Sequence, residues 1–236
     1  MAGQIPWPQV GARPAWLGCA RRYRVLDPEA ATTSPRSSDG EGSSEVKKKL
    51  QRAVAEEKRQ NPGATVEIWA MDEHRIGLKP ITRGVWAPKG ERPLALGHHR
   101  YEWLYVHGFV EPTTGRTMWN VSNAVCKEMF EAVLADFAKS IGVGNKKRAV
   151  IQLDQAGWHG PQNLTLPDGI RLVFQPSHSP ELQPAEHLWQ FVDEPLANTY
   201  FETIDRLDKV VGERCVALMA QRDTIRDSTL FHWWPQ

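Results

Sequence analysis

Two short apolar runs each stop at an aspartate, and together they restrict what this chain can fold into. Val66-Glu67-Ile68-Trp69-Ala70-Met71 ends on Asp72, and Ala149-Val150-Ile151-Gln152-Leu153 ends on Asp154. Each run reads as a buried strand. A third acidic residue, Glu186, opens a predicted helix directly after Ser179-Pro180-Glu181-Leu182-Gln183-Pro184. Two strand-end aspartates and a helix-borne glutamate, drawn from distant parts of a chain, can converge on a pair of hard divalent cations. Oxygen ligands of this kind suit Mg²⁺ or Mn²⁺. Such a pair can activate water or a 3′-hydroxyl for in-line attack on phosphate. The pattern points to phosphodiester chemistry on nucleic acid.

Each residue also has an ordinary reading. An Asp just beyond a strand commonly serves as a turn or capping residue, which applies to Asp72 and Asp154 alike. Glu186 would complement the positive end of its own helix. The prolines at 180 and 184 lock the approach to that helix, which suits a rigidly presented carboxylate and a packed loop equally. His159, five residues past Asp154, either orients a phosphate or packs beside Trp158. Arg75, Lys79, Arg83, Lys89 and Arg92 recur through a Gly/Pro-rich connection after Asp72, as phosphate contacts or as a solvated loop. The His98-His99 pair fits no zinc pattern and lacks cysteine support.

Composition narrows the class. The chain has 236 residues, 41% hydrophobic and 24% charged, enough for one good-sized core and a smaller appendage. A formal net charge of +1 excludes a generally basic binder. Basic residues exceed acidic ones in the first sixty positions, through Arg21, Arg22, Arg24, Lys47, Lys48, Lys49, Lys58 and Arg59. An acidic body with basic strips suits metal-dependent chemistry on DNA. Cys19, Cys126 and Cys215 form no CxxC pair, so neither a disulfide framework nor a zinc knuckle is expected, and a reducing cytosol fits. Neither a secretion signal nor a membrane span is expected. With no GxxxxGK[ST] or GxGxxG, no nucleotide cofactor is expected either.

Along the chain, residues 1–44 are broken by Pro6, Pro8, Pro14, Pro28 and Pro35 and read as irregular, ending in a flexible linker. A connecting helix is expected over 45–60 within a segment 45–62, with Val46, Leu50, Ala53 and Val54 on one face. The catalytic body is expected over 63–236. Within it, strands are predicted at 66–71, 103–110, 117–121, 149–153 and 170–174, with a short one around Val85-Trp86-Ala87. Glu111-Pro112-Thr113-Thr114-Gly115 makes the hairpin turn. Helices are predicted at 127–140, 184–196 and 203–219, the last with Ile204, Leu207, Val210, Val211, Val216 and Leu218 inward. This order describes an α/β layer fold, a ribonuclease-H-like mixed sheet with flanking helices. In it the strands at 66 and 149 lie side by side and parallel, bringing Asp72 and Asp154 to one edge.

Four blocks taken in order resemble a known family. They are Ile68-Trp69-Ala70-Met71-Asp72-Glu73-His74-Arg75-Ile76-Gly77-Leu78-Lys79-Pro80, Gly84-Val85-Trp86-Ala87-Pro88-Lys89-Gly90, Leu153-Asp154-Gln155-Ala156-Gly157-Trp158-His159 and Ser179-Pro180-Glu181-Leu182-Gln183-Pro184-Ala185-Glu186-His187-Leu188-Trp189. The set is similar to that of bacterial insertion-sequence transposases related to the mariner group, in the DDE superfamily, over about residues 64–235. The resemblance implies a two-Mg²⁺ site, with Mn²⁺ able to substitute, on Asp72, Asp154 and Glu186, with Glu181 rejected. It implies cleavage and strand transfer on double-stranded DNA, at element ends and target, by a homodimer in the bacterial cytoplasm at the nucleoid. Two departures stand out. The block before Glu186 has His178 where the family has Tyr and Gln183 where it has Asn, an exchange expected to loosen the approach. The first forty-four residues leave no room for the family's helix-turn-helix modules, as in a truncated or rearranged gene product. An inactive remnant that binds DNA or a transposase partner therefore stays open, as does a resolvase-like or ribonuclease-H nuclease.

Overall fold

The two apolar runs lie beside each other in parallel. The structure is a computed structural model that describes residues 39–83, 100–155, 164–177 and 179–235. Strand β1 (Thr65–Gly77) pairs in parallel with β4 (Lys147–Leu153), from Thr65 opposite Lys147 to Ala70 opposite Gln152. On its other side β1 pairs antiparallel with β2 (Trp103–Glu111), which forms a hairpin with β3 (Arg116–Ser122). Strand β5 (Ile170–Phe174) adds in parallel to β4. The order is β3-β2-β1-β4-β5, a mixed five-stranded sheet. At the hairpin turn Gly115 has φ +66, and a Cβ there would meet the Arg222 carbonyl oxygen at 1.9 Å, so no larger residue fits.

Because side chains alternate across a strand, the sheet has two buried faces. Trp69, Met71, Phe109, Ile151 and Leu153 pack under helix α2 (Lys127–Ile141), where Phe137 stacks on Phe109 at 4.3 Å and meets the Trp69 ring edge-on at 5.1 Å. Ala70, Val106, Val110 and Val150 face the other layer. That layer contains α1 (Asp39–Gln60), two 3-10 segments (Pro180–Leu182 and Pro184–Leu188), α3 (Trp189–Val192), α4 (Ile204–Met219) and α5 (Arg222–Thr229).

Five elements differ from the sequence reading. Strand β1 runs on past Met71 to Gly77, because Asp72 to Gly77 hydrogen-bond to β2 even though Glu73, His74 and Arg75 end the apolar run. Helix α1 begins at Asp39, inside the segment read as a flexible linker, and it is a structural helix. Val46, Leu50 and Ala53 are buried in the core, and Glu57 anchors the sheet. The helix expected over 184–196 is a 3-10 turn followed by the four-residue α3. Pro184 fixes the start and Pro195, which has no N–H to donate, prevents continuation. On α4, Val216 is 47% exposed and Cys215 takes the inward place. Helix α5 went unforeseen because only Ile225 and Thr229 of its eight residues are buried. The strand expected at 85–87 lies outside the described residues.

Glu57 is buried and accepts from Arg171 Nε at 2.7 Å and Arg148 Nε at 3.2 Å, tying α1 to β4 and β5. Removing one member of a buried ion cluster leaves uncompensated charge, costing about 3 kcal/mol. Glu57→Ala should therefore lower the melting temperature by roughly 10 °C, read by circular dichroism.

Candidate active site

The parallel register decides where the first two carboxylates lie. Continued two residues beyond Ala70 opposite Gln152, it sets Asp72 level with Asp154, the residue just past β4. Neighbouring strands lie about 4.8 Å apart. Residues level in a parallel pair share a face, so both aspartates stand on the side away from α2. Asp72 faces Gly108 on β2. The indole of Trp189 fills the space above that glycine, since a Cβ at 108 would meet Trp189 Cη2 at 2.8 Å. From there Trp189 Nε1–H donates to Asp72 Oδ2 at 2.8 Å. The His74 ring stacks on Trp189 with centroids 4.9 Å apart, and His74 Nε2 lies 2.9 Å from Asp193 Oδ1.

Glu186 sits in the 3-10 turn Pro184–Leu188 rather than on an α-helix. Three buried glutamines fasten its approach. Gln152 Nε2 donates to the Leu182 carbonyl at 2.6 Å and to Gln175 Oε1 at 2.9 Å. Gln175 Nε2 donates to the Ser179 carbonyl at 3.2 Å. Gln183 Nε2 donates to the Met71 carbonyl at 3.0 Å, next to Asp72. Gln183, 1% exposed, thus ties this approach to β1. A longer amide side chain reaches the β1 backbone from the loop. His178 lies outside the described residues.

The electrostatics are those of crowded carboxylates. Burial pushes the Asp72 carboxyl up to about 8, helped by the charges of Glu186 and Glu73 and opposed by the Trp189 and backbone N–H bonds. The Glu186 carboxyl is also raised, first by partial burial on an otherwise exposed residue. Asp154 pushes it further up, while His74 and His187 pull it down. Asp72 and Glu186 are therefore coupled to each other, and Glu186 to Asp154. Among the described residues no three His, Cys, Asp or Glu side chains close into a cage around one point. The donor chemistry nevertheless fits a hard divalent cation. Asp72 and Asp154 each feel the charge of Glu186 or impose their own on it, and nearby Gln152 and Gln183 each keep a buried Oε1 without a donor. A divalent cation would offset the negative charge that these groups share.

The remaining sequence candidates are dispersed. Arg75 is exposed at the same end of β1 but on the α2 side, its guanidinium 4.6 Å from the Trp103 ring centre. Lys79 is exposed just beyond β1. Arg83 is tied to the segment after α3, its backbone N–H donating to Asn198 Oδ1 at 3.0 Å. Lys89, Arg92 and His159 lie outside the described residues. Sequence reasoning gave no role to Trp189 or His74, and read Gln183 only as an exchange that would loosen the loop. Trp189 and Gln183 stood in the block around Glu186, yet no spacing rule links residues 72, 108 and 189.

Residues 67–208, more than half of the chain, match the family model of the DDE superfamily endonucleases. An uncharacterised protein of Sinorhizobium fredii (strain NBRC 101917 / NGR234) is 40% identical over 116 residues, 49% of this chain and 82% of that relative. The fold is similar to that of the Mos1 transposase paired-end complex with left transposon end, at TM-score 0.52 and 12% identity over 89% of this chain. It is likewise similar to the mariner Mos1 paired end complex with Mg, at TM-score 0.51 and 14% identity over 89%. The chain spans 65% of the length of each of these two structures. The ribonuclease-H-like mixed sheet expected from the sequence is the fold observed.

The raised Asp72 carboxyl has a measurable consequence. Between its unfolded value near 4 and about 8, the folded protein holds a proton that the unfolded chain has released. Stability is complete at low pH and is lost as pH rises through the folded value. Asp72→Asn keeps an acceptor for Trp189 and carries no charge. Without divalent metal, the melting temperature of this variant minus that of the parent should grow steadily from pH 4 to pH 8.5. At the alkaline end the gain should correspond to a few kcal/mol.

Proposed function

This chain belongs to the DDE superfamily of endonucleases, and we propose that it is the catalytic domain of a transposase. Asp72, Asp154 and Glu186 are its acidic triad. The observation that carries this reading is the β1–β4 register, which sets Asp72 level with Asp154 at the edge that Glu186 approaches from the opposite layer. The likeness to the Mos1 complexes supports it at the level of fold.

In this reading the three carboxylates hold two Mg²⁺ ions, with Mn²⁺ able to substitute. When bound, the ions supply the Lewis acidity that makes water, and later a freed 3′-hydroxyl, nucleophilic toward phosphorus and that stabilises the departing oxygen. The residues themselves do the rest. Asp72 and Asp154 present oxygens from a rigid sheet edge. Glu186 presents its own from a loop fastened by Gln152, Gln175 and Gln183. Trp189 and His74 wall the site on the β2 side and keep bulk water from Asp72. No side chain need form a covalent bond to DNA. The substrate is double-stranded DNA at element ends and target, and two copies act together at the nucleoid. Among the described residues no helix is long and apolar enough to cross a membrane. Lys79, exposed just past β1, and Arg75, exposed near the end of β1 on the α2 side, are the described candidates for phosphate contact.

Nicking of supercoiled plasmid in Mg²⁺ or Mn²⁺ tests the reading. Asp72→Asn, Asp154→Asn and Glu186→Gln should each lower the rate about a thousandfold, some 4 kcal/mol in the barrier, with circular dichroism unchanged. Near-parental cutting by any one of the three removes that residue from the triad. A folded parent that never cuts DNA in either metal leaves the non-catalytic, DNA-binding reading in its place. Preferential cutting of an RNA–DNA hybrid or a junction moves the chain to another nuclease class.

A further inference from the structure

We propose that Trp189 is a positioning residue for the metal site, its indole N–H fixing the Asp72 carboxylate so that the remaining oxygen faces the incoming ion. The inference rests on the reading of Asp72 as a metal ligand.

An indole has one donor and no acceptor, and a carboxylate has two oxygens with about four lone-pair sites. The 2.8 Å bond from Trp189 Nε1 therefore occupies one site on Oδ2 and leaves Oδ1 uncommitted to the indole. Both residues are buried, Asp72 at 9% and Trp189 at 6% exposure, so water competes poorly for this bond. Once a cation holds Asp72 in its ionised form, this becomes a hydrogen bond to a charged group, among the stronger kinds.

The indole is itself held from three sides. Gly108 opens the slot in which its six-membered ring lies. His74, engaged with Asp193, covers one ring face. Trp119 meets the ring at 62° with centroids 6.3 Å apart. A buried indole N–H needs an acceptor, and a backbone carbonyl would serve a purely structural tryptophan, whereas here the acceptor is the carboxylate of Asp72. Here the ring is wedged so that its one polar atom reaches the Asp72 carboxylate on the central strand. Groups that orient a metal ligand in this way commonly change metal affinity by 10- to 100-fold when removed.

Trp189→Phe keeps an aromatic ring in the slot and deletes only the donor. Mn²⁺ binding to the DNA-free protein, followed by calorimetry at one pH, is the first readout. The expected result is a dissociation constant roughly tenfold or more above the parent's, with a melting temperature close to the parent's in the absence of metal. Equal affinity in the folded variant overturns the inference while leaving the metal site itself standing. A parent that binds no Mn²⁺ overturns both. The second readout needs no variant. The Trp189 indole N–H resonance of the parent, assigned through the backbone, should broaden beyond detection as Mn²⁺ is added. Its persistence while calorimetry records binding places the ion elsewhere and refutes the proposal.

Discussion

Parallel pairing of β1 with β4 is the constraint on which the rest of this structure depends. Parallel strands are stable when both faces are covered, and here α2 covers one face while α1, α4, α5 and the 3-10 turns cover the other. A slip of one residue would turn every side chain of β4 over. Asp154 would then face the Phe137 side, and Val150 would leave the layer that holds Leu50 and Leu188. The hydrophobic pattern that makes the core therefore also fixes which carboxylates meet. The position of the site follows from the packing of the fold.

The third carboxylate is placed by a different kind of interaction. Glu186 lies in a turn too short to be rigid on its own, between two prolines and a four-residue helix. Its position is fixed from below by amide side chains. Gln152 from β4 grips the loop at Leu182, Gln175 grips it at Ser179, and Gln183 returns to β1 at Met71. Buried polar groups of this kind stabilise only when they find partners. Together they bind the loop to both strands that carry the aspartates.

Charge is handled in opposite ways at the two ends of β1. Toward its start, Glu67 is paired with Arg116 and Lys147, and Glu57 of α1 with Arg148 and Arg171. Those carboxylates serve the fold. At the other end Asp72 meets the neutral N–H groups of Trp189 and the backbone, with Glu186 and Glu73 adding negative charge. A protein that balances its acids with arginines in one region and gathers them around a buried one in another has assigned them different tasks. The cost of an unbalanced carboxylate is acceptable where a cation completes it.

Much of this was legible in the residues. The apolar runs at 66–71 and 149–153, the hairpin turn at Gly115 and the heptad-like face of α2 follow from periods of two and 3.6, which are local properties of a chain. The acidic residues ending those runs, and the block around Glu186, marked the candidate triad for the same reason. What the sequence could not supply was anything that depends on distant partners. Residues 72–77 are strand because β2 offers them hydrogen bonds, and the tie between α1 and the sheet through Glu57 exists only where Arg148 and Arg171 meet it. The slot that joins Gly108, Trp189 and Asp72 exists only once β2 lies against β1 and the turn after Pro184 lies across both. Local preference determined which elements form and which acids end them. Tertiary packing decided which of those acids is buried and what holds it, because burial and hydrogen bonding arise between segments that the chain order keeps apart.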